Sequence, residues 1–521
     1  MDCVQRALWV PGISLRQMRC NLAANGPQLY VGTDGRRLIW AGPQQALLVL
    51  GPPRSGKTST LVIPNVLAAP GPVIVTSTKP DVLRATIASR SEQGRCWILD
   101  PTGSVEAPPG TCLLRWSPVR AALSWEEALV TARVMTAAAR PHGWYGESAH
   151  WTERAEALIG PLLHAAACSG AGMRRVLGWV LRHDLDEPSA LLSHAAPATV
   201  ALDVLAGIRA TDERERSGIL STAASIVSAY RSEKALELAE HPNFDPASFP
   251  AGADTVYVCA PARYQTLIAP AVVAFLEQVR AATYDCAARG WLRLPVTFVL
   301  DEVANVAPLP DLPAMVSEGG GQGLLTLASL QDLSQARMRW GRAAEGFFSL
   351  FGTKVLLPGV GDLDTLETVS RLAGQTEVAV RSVNSTAWWS AHPSSNMTYS
   401  SRRQARLPVD QVHSLPAGSA LVVAGASPPR LVELTRWWEY PPFLEAAHAR
   451  MPSTPVQAST APAPSSPAVG PVPDDGRRLT PLPPTNALSA KPSPHEDPRR
   501  PLADIRWRRV PGQRRFPPPR A

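Results

Sequence analysis

Eight residues, Gly51-Pro52-Pro53-Arg54-Ser55-Gly56-Lys57-Thr58, constrain this chain more than any other feature of its sequence. They match G-x-x-x-x-G-K-[ST] in full, follow the apolar run Ala46–Leu50 and open a long helical pattern, which is the strand–loop–helix setting of a phosphate-binding loop. The glycines let backbone N–H groups curve around phosphate oxygens at a helix N-terminus. Lys57 is placed to reach the β- and γ-phosphates, and Thr58 to offer a hydroxyl to Mg²⁺. ATP and Mg²⁺ are the expected cofactors. The chain uses 5 lysines against 46 arginines, so a lysine at this position suits a compact point charge on phosphate, which arginine's planar fork does not replace.

A strand leading into a glycine loop and helix begins an α/β domain with parallel strands. Leu29–Val31 and Leu38–Trp40 flank Thr33-Asp34-Gly35 and predict a small hairpin. Further strands are expected at Pro72–Thr76, Cys96–Leu99, Thr255–Cys259, Val296–Leu300, Leu324–Ser329, Thr353–Leu357 and Ala420–Val423. Residues 125–240 lack β-branched clusters and read as an all-helical insertion. The organisation expected is an N-terminal arm over 1–25, a nucleotide-binding core over 26–124 and 241–450, the insertion between its halves, and a tail over 451–521. That tail holds 18 of the 52 prolines and carries 11 basic against 5 acidic residues, nearly all of the chain's net charge of +7. It cannot bury enough apolar area to offset the entropy of ordering and is expected to be disordered. Its end interleaves Trp507 and Phe516 with arginines, which suits either a solvated tail or a docking peptide for DNA, acidic lipid or a partner.

A nucleotide site needs an acid at the end of a neighbouring strand. Val296–Leu300 runs straight into Asp301 and Glu302. Asp301 is the candidate for Mg²⁺, directly or through water, and Glu302 for polarising an attacking water, a role that suits hydrolysis. One predicted strand later stands Gln331, placed either to contact the γ-phosphate or to serve as a loop and cap residue. Lys79, in Ser77-Thr78-Lys79-Pro80-Asp81, precedes either a plain helix cap or a site contact. The seven cysteines are scattered without a CxxC pair, and His142, His150 and His164 lack metal-ligand spacing, so disulfide, zinc and histidine chemistry find no support. No signal peptide and no run of 18 apolar residues is present.

The order of these motifs resembles the coupling-protein ATPases of conjugation and type IV secretion, the TraG/TraD-type family related to FtsK-like DNA translocases. The resemblance rests on GPPRSGKT at 51–58, TSTKPD at 76–81, WSP at 116–118 and HWTERAEAL at 150–158. It continues through VLDEVANVAPLPDLP at 299–313, SLQDLSQ at 329–335 and FGTKV at 351–355. It implies a RecA-like core with an inserted all-α domain implicated in DNA or substrate recognition. It further implies a homo-hexameric ring, binding to single- or double-stranded DNA with little sequence preference, and delivery of a relaxase or other secretion substrate to type IV secretion channel components. By this resemblance Lys57 and Thr58 are the P-loop pair, Asp301 and Glu302 the acid pair, and Gln331 the glutamine ending the next strand.

Two departures stand out. Many members carry a pair of N-terminal membrane helices, which this sequence does not show, so a cytoplasmic protein brought to the inner membrane face by partners is expected. In some members an arginine follows the equivalent of Ser317-Glu318-Gly319; here Gly320 and Gly321 stand there, leaving Arg337, Arg339 and Arg371 as replacements to consider. The competing functions are a protein-substrate exporter of the same family, a P-loop kinase or transferase, and a nucleotide-switched scaffold.

Overall fold

The computed structural model describes residues 6–7, 13–35, 37–139, 147–195, 199–385 and 395–449. The expectation of a disordered tail over 451–521 lies outside these residues. Among them the chain divides into a large unit, which leaves off at Ala373 and resumes at Leu407, and a small one, Gly374–Arg406.

The large unit is built on one sheet. In chain order its strands are β1 (Arg6–Ala7), β2 (Tyr30–Asp34), β3 (Arg37–Trp40), β4 (Leu47–Leu50), β5 (Val73–Ser77), β6 (Cys96–Leu99), β7 (Cys112–Leu113), β8 (Thr255–Cys259), β9 (Val296–Leu300), β10 (Leu324–Leu330) and β11 (Thr353–Leu356). The small unit holds β12 (Gln375–Ser385) and β13 (Ser395–Ala405), and β14 (Ser419–Ala424) and β15 (Arg430–Glu433) return to the large sheet. The spatial order is β1-β3-β2-β15-β14-β11-β4-β10-β9-β5-β8-β6-β7. From β11 to β7 every pairing is parallel, while β14, β15 and the predicted β2–β3 hairpin continue the sheet antiparallel. The α/β class expected from sequence is the one observed. β4, β5, β8, β9 and β10 are buried along their whole length, as parallel strands covered on both faces must be, and this is why they read as unbroken apolar runs rather than alternating ones.

Helices cover both faces. Ser14 caps the helix Leu15–Asn25 by accepting from Gln17 N–H, and its buried residues Leu15, Met18, Arg19 and Leu22 recur at helical spacing. The stretch read as an arm therefore includes a docked helix, whose single stripe was too short to stand out. From Trp125 to Glu240 every regular element among the described residues is helical. The apolar interior there, including Ala128, Leu162 and Trp179, is continuous with Phe275, Leu300 and Val303 under the sheet. Among the described residues one helix, Ala262–Ala288, is long and apolar enough to cross a bilayer. It is a core helix: Ile268, Val272, Phe275, Leu276 and Val279 are almost wholly buried.

The edge of the sheet opposite the nucleotide loop is tied by arginine. Arg90, fully buried, donates from Nε to Thr255 Oγ1 at 2.7 Å, from Nη1 to Ala69 O at 2.7 Å and from Nη2 to Gly71 O at 2.8 Å and Ala253 O at 3.2 Å. It thereby satisfies carbonyls of the turns that enter β5 and β8, which burial would otherwise leave unpaired. Trp116 and Ser117 of the WSP element have structural work: Trp116 Nε1 donates to Gln278 Oε1 at 2.5 Å, and Ser117 caps the helix Pro118–Ala121.

Candidate nucleotide site

β4 ends at Leu50, and Gly51–Gly56 turns the chain into a helix that runs from Lys57 to Ala68, opening as a π-turn over Thr58–Val62. Glycine is required at the bend. A Cβ on Gly51 would stand 2.8 Å from Ser55 Oγ and 2.9 Å from Leu357 Cβ. Gly56 has φ +97° and Arg54 φ +65°, so the loop passes twice through the left-handed region and its N–H groups converge inward. Lys57 is 6% exposed, and its Nζ donates to Gly51 O and to Pro52 O, the latter at 3.2 Å. Burial pulls its pKa below the ordinary lysine value, against the opposing pull of Glu302 and Asp301. Ser55 Oγ is buried without a hydrogen-bond partner in the protein. Orphan N–H groups at a helix start, a buried ammonium and an unpaired hydroxyl form a donor set that suits a polyphosphate.

The acids come from the other side of an intervening strand. β10 lies between β4 and β9, with Ser329 level with Val49 and Ala328 level with Leu300. Ser329 Oγ thus reaches Asp301, donating to its Oδ1 at 2.6 Å. Asp301 Oδ2 accepts from Thr58 Oγ1 at 3.1 Å, and Asp301 O accepts from Thr76 Oγ1 at 2.9 Å. Thr58 and Asp301, 243 residues apart in sequence, present adjacent oxygens of the kind a hard divalent cation takes.

Glu302 is left-handed, at φ 52° and ψ 48°, at the position just before the short helix Val303–Val306. A non-glycine residue pays roughly 1–2 kcal/mol for this conformation. The turn is pinned by Glu302 N–H donating to Ser329 Oγ at 3.2 Å. Burial raises the pKa of the Glu302 carboxyl above the ordinary glutamate value; Lys57 opposes that rise, Asp301 adds to it, and the neighbouring amides of Gln335 and Gln331 oppose it further. Asn305 Nδ2 lies 3.4 Å from Glu302 Oε2. Gln331 stands just past β10, its backbone N–H donating to Gln335 Oε1 at 3.0 Å. The structure therefore brings Lys57, Thr58, Asp301, Glu302 and Gln331 to one edge of the sheet.

Sequence reasoning missed Ser329, Thr76, Asn305 and Gln335. A signal existed for the last: Asp332 caps the following helix, so Gln335 stands four residues after Gln331 and returns to the same side. Lys79 sits elsewhere. β9 and β10 separate its strand, β5, from β4, and it lines a cleft of about 480 Å³ with Arg84, Glu106 and Cys259.

The arginines sort by their partners. Arg337 pairs with Asp362 at 2.8 Å and Asp364 at 3.3 Å. Arg339 is committed to packing: its Nη2 donates to Ala137 O and Ala138 O at the end of the helix Trp125–Ala139, and burial lowers its pKa to about 10. Arg371 has an 80% exposed side chain that meets Glu367 at 2.8 Å. Gly320 has a steric reason, since a Cβ there would fall 1.9 Å from Gln44 O, so arginine does not fit at that position.

Comparison of the fold finds a bacterial conjugative coupling protein, TrwBdeltaN70 in its unbound monoclinic form. It is 18% identical with a TM-score of 0.60, and the match covers 83% of this chain and 94% of that one. TrwB in complex with ADP and Mg²⁺ superposes with a TM-score of 0.55 at 19% identity, over 76% of this chain and 85% of that one. TrwB with the non-hydrolysable ATP analogue ADPNP gives 0.58 at 17% identity, over 83% and 95%. Sequence comparison with curated proteins returns no significant match. Residues 16–461 match the profile of the family described as type IV secretory system conjugative DNA transfer, and with most of its length so matched the chain belongs to that family.

Proposed function

We propose that this protein is an ATP-driven DNA-translocating coupling ATPase, which brings DNA or a relaxase–DNA complex to a type IV secretion or conjugation channel. The observation that carries the reading is the 3.1 Å approach of Thr58 Oγ1 to Asp301 Oδ2, with Lys57 and Glu302 on either side of it. When bound, ATP with Mg²⁺ supplies the phosphoanhydride whose cleavage releases the driving energy. Gly51, Pro52, Pro53, Arg54, Ser55 and Gly56 form the wall around the phosphates with their backbone. Lys57 neutralises charge on the outer phosphates, in binding and as it shifts during cleavage. Thr58 Oγ1 and Asp301 Oδ2 would hold Mg²⁺, and Ser329 keeps the Asp301 carboxylate turned towards it.

Glu302, held by Asn305 and with Gln331 and Gln335 as neighbours, accepts the proton of the attacking water at its carboxylate. Gln331, at the end of the strand between the loop and the acids, is placed to respond to the outer phosphate and pass its state to the helix behind it. Glu302 beside Asp301, together with the long helical insertion, suits hydrolysis rather than transfer to a docked small acceptor, which disfavours a kinase. Family membership supports DNA and channel components as partners. The ring reading makes Arg371, the exposed arginine of the three, the candidate to reach a neighbouring subunit in a homo-hexamer, and partners would hold the assembly at the inner membrane face. The test is ATP turnover with and without single-stranded DNA. Stimulation by DNA, none by small acceptors, and loss of turnover in Lys57→Ala are expected; a Lys57→Ala protein turning over at the parental rate would remove this loop as the engine.

A further inference from the structure

We infer that the small unit, the two-stranded ribbon of β12 and β13, is a DNA-gripping arm that contacts the phosphate backbone; the inference rests on the DNA reading above and assigns a surface to it. The ribbon pairs eleven residues of each strand in unbroken antiparallel register, from Gln375 opposite Ala405 to Ser385 opposite Ser395. At roughly 3.4 Å per residue each strand spans about 34 Å. A lone two-stranded ribbon is marginal in water and ordinarily survives by burying one face. Here Glu377, Val378 and Ala379 are exposed in succession, and so are Ser400, Ser401, Arg402, Arg403 and Gln404. Neighbouring residues of a strand point to opposite faces, so both faces are open where the side chains are described.

Composition says what would cover them. Of the 22 paired residues, 11 are Ser, Thr, Asn or Gln, three are arginines (381, 402 and 403), and one, Glu377, is acidic; Arg406 follows directly. On one face Val378 stands opposite Arg402 and Val380 opposite Ser400. On the other the pair Val383–Met397 is followed by Arg381 opposite Tyr399, Ala379 opposite Ser401 and Glu377 opposite Arg403, so its apolar residues are interrupted by charge and do not run the length of the ribbon. Arg402 and Arg403, being consecutive, place a cation on each face. Residues 1–450 carry 40 basic and 39 acidic residues, so the near absence of acids from the ribbon is local. Short hydroxyl and amide side chains with arginine are the residues that bind phosphate and sugar without reading sequence, and a two-stranded ribbon fits a DNA groove. Glu377 lies 3.5 Å from Arg403 Nε and partly masks it.

The experiment uses the full chain and a fluorescein-labelled single-stranded 30-mer of mixed sequence, with its duplex in parallel. Anisotropy is read at several salt concentrations for the parent, Arg402→Glu/Arg403→Glu, Arg402→Lys/Arg403→Lys and Glu377→Gln, with Tm and oligomer mass as fold controls. Each phosphate contact contributes about 0.7 to the log–log salt slope on single strands. The charge reversal is expected to flatten that slope by about 1.4 and weaken low-salt binding at least tenfold. The lysine pair should keep the slope, and Glu377→Gln should bind more tightly than the parent. An unchanged slope in the charge reversal, with the parent binding DNA, overturns the ribbon alone, as does a change of oligomer mass with DNA affinity intact, which would make the ribbon a subunit contact. A parent that binds no DNA overturns the DNA reading and the ribbon with it.

Discussion

Replacing Glu302 by glutamine removes one negative charge and almost nothing else. The backbone constraint survives, because Glu302 N–H still donates to Ser329 Oγ and glutamine bears the left-handed conformation at a similar cost. The amide oxygen can still accept from Asn305 Nδ2. Asp301 keeps its contacts with Thr58 and Ser329, so the Mg²⁺ oxygens are undisturbed. What disappears is the group able to take a proton from water. General-base catalysis is worth typically 10²–10⁴ in rate, or about 2.7–5.4 kcal/mol at 1.36 kcal/mol per decade. Turnover should therefore fall at least 100-fold.

Binding should move the other way or not at all. The Glu302 carboxylate is electrostatically coupled to Lys57 and repels a polyanion brought beside that lysine, so its neutralisation favours the nucleotide. The assay pairs steady-state phosphate release with equilibrium titration of a fluorescent ATP analogue in Mg²⁺. High occupancy with failed turnover is the expected pattern. A turnover within a few-fold of the parent would show that the proton goes elsewhere. Loss of Mg²⁺-dependent binding at unchanged Tm would show that Glu302, and not Asp301, serves the cation.

Deleting residues 451–521 removes a net charge of +6 yet should leave DNA-stimulated turnover in place, with weaker binding at low salt. A motor grips with elements whose position follows nucleotide state, and complete loss of stimulation at unchanged ATP binding and oligomer size would transfer the DNA site to the tail. Arg90→Leu should destabilise the protein by about 3 kcal/mol or more, because it strands the buried oxygens of Ala69, Gly71 and Thr255, each worth about 1–3 kcal/mol when unpaired. Urea unfolding measures this, and an unchanged midpoint would mean that water or a rearranged neighbour replaces the guanidinium.

Much of the site was legible in the chain because its parts are local. A phosphate loop is one turn of backbone, written in Gly51, Gly56, Lys57 and Thr58. The acids Asp301 and Glu302 announce themselves by ending a buried run. Fully buried parallel strands such as Val73–Ser77 and Val296–Leu300 show as apolar blocks, so the α/β class and most strand positions follow from hydrophobicity alone. The ribbon did not show, because half of its 22 residues are Ser, Thr, Asn or Gln and its short apolar stretch Val378–Val380 is closed in by Glu377 and Arg381.

Tertiary pairing decided the rest. Nothing within the sequence near Leu324–Leu330 says that this strand inserts between β4 and β9, yet that insertion carries Ser329 to Asp301 and Gln331 and Gln335 to Glu302. The same holds for the arginines: their spacing in sequence left Arg337, Arg339 and Arg371 equivalent, and the fold separated them by tying one to Asp362, burying one against the end of a helix and leaving one open to solvent. Gly320 reads as loop composition until Gln44, far away in the chain, is found with its carbonyl against it. Short-range sterics and burial determine which residues can form a strand, a loop or a cap; the hydrogen-bonded order of strands, set by contacts hundreds of residues apart, determines which of those residues meet.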